Sequence, residues 1–149
     1  MSNDEAALAA LLAQEVPEIT TGLIEIKAIA RRVGVRSKIA VGSHDRKVDC
    51  VGLCVGKRGS RIRKVVDQLG CERVDMFRWH DSAATLIEAA LQPSNIEQVV
   101  LRPAQRATVV VKDDEQLSLA LGRGGVNREL ASRLCEWEID VVVATDAGQ

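Results

Sequence analysis

Residues 52–61 read GLCVGKRGSR, with Gly56 and Gly59 bracketing Lys57 and Arg58, an apolar run before them and a basic run after. Glycine beside cationic residues in a loop is a recurrent way of holding phosphate, because a backbone without a Cβ lets an anion approach main-chain N–H groups closely. The residues leave three occupants open: a nucleotide, a nucleic-acid backbone, or none, the stretch then being only a turn. A P-loop requires four residues between its glycines, followed by Lys and a hydroxyl residue. Here three residues separate Gly52 from Gly56, and Arg58 stands where Ser or Thr is needed. The dinucleotide fingerprint Gly-x-Gly-x-x-Gly is not met by Gly52, Gly56 and Gly59 either. Nucleotide binding is set aside.

A Gly-x-x-Gly loop between two helices is a different device. The second helix begins at the loop, so its free N–H groups and positive dipole end face whatever docks there. KH modules hold four nucleotides of a single strand in this way. One such loop is weak evidence, but this one recurs: Gly56-Lys57-Arg58-Gly59 is repeated 66 positions later as Gly122-Arg123-Gly124-Gly125. Val74-Asp75-Met76 likewise returns as Ile139-Asp140-Val141. Lys57, Arg58, Arg61, Arg63 and Lys64 follow one another with no acid between them, as do Lys27, Arg31, Arg32, Arg36 and Lys38. At a net charge of −1, affinity for a polyanion must come from such local runs, and both are read as the basic lining of a groove.

The elements around each loop come in one order. In the first copy, NDEAALAALLAQEV predicts a helix capped by Asn3 or Asp4 and followed by Pro17. LIEIKAIARR and RSKIAVGS predict strands joined at Val33-Gly34-Val35, and VDCVGLCV predicts a short helix into the loop. Beyond it, Ile62, Val65, Val66 and Leu69 share a helical face, Gly70 caps its end, and RVDMFRW closes the unit as a strand. In the second copy Ser82 caps AATLIEAAL, NIEQVVL and ATVVV are strands on either side of Pro103, and Asp113-Asp114 open EQLSLAL. A helix with Leu130, Ala131 and Leu134 and the strand EIDVVV complete it. Each copy therefore reads helix, strand, strand, helix, loop, helix, strand.

Little else in the chain points to chemistry. His44 and His80 are the only histidines and fit no triad or metal set, so neither catalysis nor a cofactor is expected. Cys50, Cys54, Cys71 and Cys135 lack a zinc spacing and read as reduced, partly buried thiols with no metal. Phe77, Trp79 and Trp137 are the only aromatics, which argues against base stacking on aromatic platforms and places the tryptophans in packing roles. No run is long enough to cross a bilayer and the N-terminus lacks a signal-peptide pattern, so a cytoplasmic chain without membrane contact is expected.

The stretches EVPEI, IEIKAIARRVGVRSKIAV, VGLCVGKRGSRIRKVV, QLSLALGRGGVN and WEID resemble the tandem KH region of the NusA family of bacterial transcription factors, from about residue 8 to residue 143. The resemblance implies an α+β fold of two tandem type II KH domains, 1–80 and 81–149, each a three-stranded sheet with helices on one face. It implies a single RNA strand crossing both grooves, helped by the short linker His80–Ser82, and an influence on pausing, termination and antitermination. RNA polymerase or other transcription factors are implied as further partners. Carried over by position, the RNA-binding residues are Gly56, Lys57, Arg58, Gly59 and Arg61, then Gly122, Arg123, Gly124, Gly125 and Asn127. Val126 stands where the family has Gln, and Glu136 and Glu138 where it tends to have Gly and Lys, so the second loop is expected to bind more weakly and its last helix to lack a cap glycine. Longer family members place a polymerase-binding domain and an OB-fold ahead of this region, and the chain reads as a short form without them, standalone or excised. Two alternatives stay open: a KH protein acting on ribosomal or regulatory RNA, and a protein-interaction scaffold whose loops no longer hold RNA.

Overall fold

The computed structural model describes residues 1–147 of the chain, which divides into two units, Met1–Trp79 and His80 onward. The first begins with α1 (Asn3–Glu15), whose cap is Ser2 rather than the expected Asn3 or Asp4. Ser2 Oγ accepts from Glu5 N at 3.2 Å and Glu5 Oε1 accepts from Ser2 N at 2.9 Å, a reciprocal capping box. Pro17 does more than stop α1. It opens a one-turn helix, α2 (Pro17–Thr20), at a position where its missing N–H costs nothing. Strands β1 (Glu25–Arg32) and β2 (Arg36–Gly42) follow, then α3 (Cys50–Val55), α4 (Ser60–Leu69) and β3 (Arg73–Arg78).

Strand order is β1-β2-β3, with β2 antiparallel to β1 and parallel to β3. A parallel neighbour cannot be reached by a hairpin, so the chain needs a crossover, and α3 and α4 supply it. The Gly56–Gly59 stretch is the corner inside that crossover. Leu8 and Leu12, one turn apart on α1, are fully buried with Val16, Ile24, Ile39, Val41, Cys50, Cys54 and Val65. Ile62 and Leu69 of α4 pack against this core beside Val65, while Arg63, Lys64, Asp67 and Gln68 on its other side are exposed, as the spacing predicts.

The second unit repeats the plan with α5 (Ala83–Ala90), β4 (Gln98–Arg102), β5 (Arg106–Val111), α6 (Asp114–Leu121), α7 (Val126–Cys135) and β6 (Glu138–Val143), followed by the short α8 (Ala144–Ala147). Its sheet has the same mixed order, β4-β5-β6, with β5 antiparallel to β4 and parallel to β6. Ser82 and Asp113 cap α5 and α6 through Thr85 N and Gln116 N. Without a glycine to end it, α7 puts Glu136 itself into the left-handed cap conformation, φ 60°, ψ 37°, its N–H bonded to Ser132 O. Among the described residues no helix is long and apolar enough to cross a membrane.

Candidate nucleic-acid interface

Both loops have one backbone path. Gly56 has φ 79°, ψ 169° and Gly122 φ 74°, ψ 172°; Arg58 has φ 56°, ψ 29° and Gly124 φ 64°, ψ 17°. Gly59 and Gly125, the residues that open α4 and α7, are left-handed at φ 75°, ψ 17° and φ 76°, ψ 10°. In each, the first glycine N–H closes the preceding helix (Gly56 on Gly52 O, Gly122 on Ser118 O, both 2.9 Å) and the last glycine N–H returns to the first glycine's carbonyl.

Glycine is required at Gly56 and Gly122 for two reasons. A Cβ on Gly56 would lie 2.7 Å from Arg61 Cγ and 2.8 Å from Arg61 N, and one on Gly122 would lie 2.7 Å from Asn127 Cβ and 2.9 Å from Asn127 N. The positive φ is also costly for any residue carrying a Cβ. Beyond each loop, α4 and α7 start without a side-chain cap, which leaves the helix N-terminal amides facing the loop. The first turn of α4 contains no acid, whereas that of α7 contains Glu129.

Lys57, Arg58 and Arg123 are exposed. Among the described residues no carboxylate pairs with any of the three. Arg63 Nη2 donates to Arg58 O at 2.9 Å, and Lys64 is exposed with Glu15 at 4.0 Å. The first loop therefore presents two adjacent cations and the second presents one.

Arg61 and Asn127 stand apart from these. Arg61 Nη1 donates to Glu18 Oε1 at 2.8 Å and to Leu53 O at 2.9 Å. The Glu18 carboxyl is held below the usual range by its own backbone N–H and then by that guanidinium. Asn127 is fully buried, its Nδ2 donating to Ala120 O at 2.9 Å and to Leu91 O and Leu119 O at 3.3 Å. The family resemblance puts both among the RNA contacts by position. The side chain of Asn127 instead points inward, and that of Arg61 is already engaged.

Three of the five cations in the second basic run, Arg31, Arg36 and Lys38, are drawn into the first unit, while Lys27 and Arg32 are exposed. Arg31 Nε lies 3.0 Å from Glu72 Oε2, and the same carboxylate accepts from Gly34 N at 2.9 Å and from Ser37 Oγ. Arg36 Nε and Lys38 Nζ converge on Asp75 Oδ2 at 2.6 and 2.9 Å, with the Lys38 side chain wholly buried. Burial alone would raise the carboxyls of Glu72 and Asp75, but the hydrogen bonds they accept more than offset this and hold both below their ordinary values. Burial pushes Lys38 down to about 8, with Asp75 opposing. Lys27 pairs with Glu25 at 3.0 Å. The expected groove lining from Lys27 to Lys38 is thus corrected: Arg31, Arg36 and Lys38 are consumed by an internal ion network. Glu72, which holds Arg31, carries no signal in the sequence, because its partners are 35–41 residues away.

Cys50 and Cys54 face the core from adjacent turns of α3, and burial raises the Cys54 thiol to about 12. Cys71 is exposed, and Cys135 is buried.

Family models match both units: a NusA-like first KH domain over residues 2–79 and a NusA-like second KH domain over residues 83–149. The chain is 43% identical over 133 residues to the transcription termination/antitermination protein NusA of Bacillus subtilis (strain 168), covering 89% of this chain and 36% of that protein. To the protein of the same name from Thermus thermophilus it is 47% identical over 136 residues, covering 91% of this chain and 35% of the relative. It thus spans about a third of the length of the curated relatives it matches. The fold is similar to that in the crystal structure of APE1850, with a TM-score of 0.65 at 16% identity, over 96% of this chain and 99% of that one.

Proposed function

This chain belongs to the NusA-like KH family, and we propose that it binds single-stranded RNA through its two Gly-x-x-Gly loops and acts in transcription termination and antitermination. The observation carrying the reading is the pair of loops with one backbone path, each opening on an uncapped helix N-terminus and each presenting at least one exposed cation that no carboxylate pairs. A phosphodiester backbone matches all three features. The glycines admit it, the helix amides donate to it, and the cations replace its counterions. Gly56, Lys57, Arg58 and Gly59 form the stronger site, and Gly122, Arg123, Gly124 and Gly125 the weaker. The role is binding rather than catalysis, in the cytoplasm, and RNA polymerase or associated transcription factors are the partners this family membership favours.

The test is a titration of labelled single-stranded RNA at two salt concentrations against wild type and a Lys57→Asp/Arg58→Asp double variant. Both side chains are exposed, so the fold persists. The expected result is loss of most of the affinity, with the salt slope falling by about 0.7 for each phosphate contact removed. Arg123→Asp is expected to weaken binding less. Unchanged affinity in the folded double variant means that the first loop is only a turn.

A further inference from the structure

Arg61 and Asn127 differ in size, charge and exposure, yet each is the second residue after the last glycine of its loop. Each sends a side-chain donor back across the loop to the carbonyl three residues before the first glycine: Arg61 to Leu53 O at 2.9 Å, Asn127 to Leu119 O at 3.3 Å. Each also reaches the chain just beyond its unit's first helix. For Arg61 the third point is the Glu18 carboxylate on α2, and for Asn127 it is the carbonyl of Leu91, the C-cap of α5. Each backbone N occupies the space that a Cβ on the first glycine would need.

We propose that Arg61 and Asn127 are equivalent positioning residues, each a brace that clamps the two ends of its Gly-x-x-Gly loop into the shape that receives RNA, without itself touching the strand. The last carbonyls of a helix have no partner within the helix. Those of α3 and α6 border the loop, and a donor from the start of the next helix satisfies them while fixing the distance across it. The first glycine and the brace form one device, because the missing Cβ opens the space that the brace residue fills. An arginine exposes its far end and needs an acid, Glu18, to hold it. An asparagine fits wholly inside and uses carbonyls alone.

This inference rests on the RNA-binding reading, and its test separates the two. In the full chain, Arg61→Ala and Arg61→Gln are compared with wild type by two measurements. One is amide exchange of the Gly59 N–H without RNA, and the other is the titration of a labelled mixed-sequence single-stranded RNA at two salt concentrations. The expected result for Arg61→Ala is faster Gly59 exchange and binding weakened about fivefold to tenfold, the loss of roughly one hydrogen bond, with the salt slope unchanged. Arg61→Gln keeps an amide donor without the charge, and is expected to recover most of both. A shallower slope in Arg61→Gln, by about 0.7, would make Arg61 a phosphate contact and overturn the brace. Unchanged exchange and affinity in Arg61→Ala would overturn it as well. If Arg61→Ala does not fold, Arg61→Gln decides alone. A wild-type chain that binds no RNA defeats the functional reading, and the exchange comparison still decides the brace.

Discussion

Arg58 holds a backbone conformation, φ 56°, ψ 29°, that its counterpart in the second loop leaves to glycine, Gly124 at φ 64°, ψ 17°. A left-handed residue with a Cβ costs roughly 1–2 kcal/mol. Glycine removes that strain but adds unfolded-chain entropy, at a cost of about 0.5–1 kcal/mol. Nothing else is lost in Arg58→Gly: the side chain is exposed, and the 2.9 Å bond from Arg63 goes to the Arg58 carbonyl, which remains. The difference is a gain of about 0.5–1 kcal/mol, and a unit of this size melts about 2–8 °C higher. The same change deletes one of the two cations at the first loop, so RNA affinity should fall and its salt slope should lose about 0.7. Calorimetry and an RNA titration at two salt concentrations read the two effects separately. Arg58→Lys, which keeps both the Cβ and the charge, should leave the melting temperature unchanged. Opposite movement of stability and affinity in Arg58→Gly is what backbone strain retained for binding requires. A lower melting temperature refutes the strain reasoning, and unchanged affinity refutes the contact.

Gly56→Ala should destabilise the first unit by about 2–3 kcal/mol or more, since it combines a positive φ with a Cβ 2.8 Å from a backbone nitrogen, whereas Gly124→Ala, with open space around it, should cost about 1 kcal/mol; thermal melts compare them. Asp75→Asn should cost about 3–5 kcal/mol because it leaves Arg36 and Lys38 buried against a neutral group, and denaturant titration measures it. Lys38, held down to about 8 against an ordinary value of 10.5, binds fewer protons folded than unfolded between those pH values. This group therefore adds stability as pH rises from 8 toward 10.5, a gain that Lys38→Met should abolish while changing stability at pH 7 little. A thiol reagent should modify exposed Cys71 rapidly and buried Cys50 and Cys54 only on unfolding, as mass spectrometry of the intact protein would show.

Element order was legible because its signals are local. Apolar spacing placed α4, glycines marked the corners and Ser82 marked a helix start. The cap of α1 was legible too, since Ser2 and Glu5 have capping-box spacing, but three consecutive cap-forming residues hid it. The destinations of charged side chains were not legible. Arg36 and Lys38 lie two apart on a strand and so share a face, but what that face meets is set by residues 37–39 positions away. A run of cations on a strand is therefore not by itself a basic surface.

Repetition misleads in a related way. Asp75 and Asp140 are the same residue in the same recurring stretch, and each stands on the last strand beside the middle one. Opposite Asp75 stands Lys38, whose side chain is wholly buried; opposite Asp140 stands Thr108, and Asp140 is exposed. Arg61 and Asn127 share no chemistry that a comparison of letters would find, yet they bond the same carbonyl position and lie against the same glycine. A duplicated backbone passes on positions, and the partner across the sheet or the loop decides what each position does. Roles in the second unit therefore follow from geometry at the equivalent position, which is why Asn127 is placed with Arg61 as a brace and Asp140 is not placed with Asp75 as an ion-pair centre.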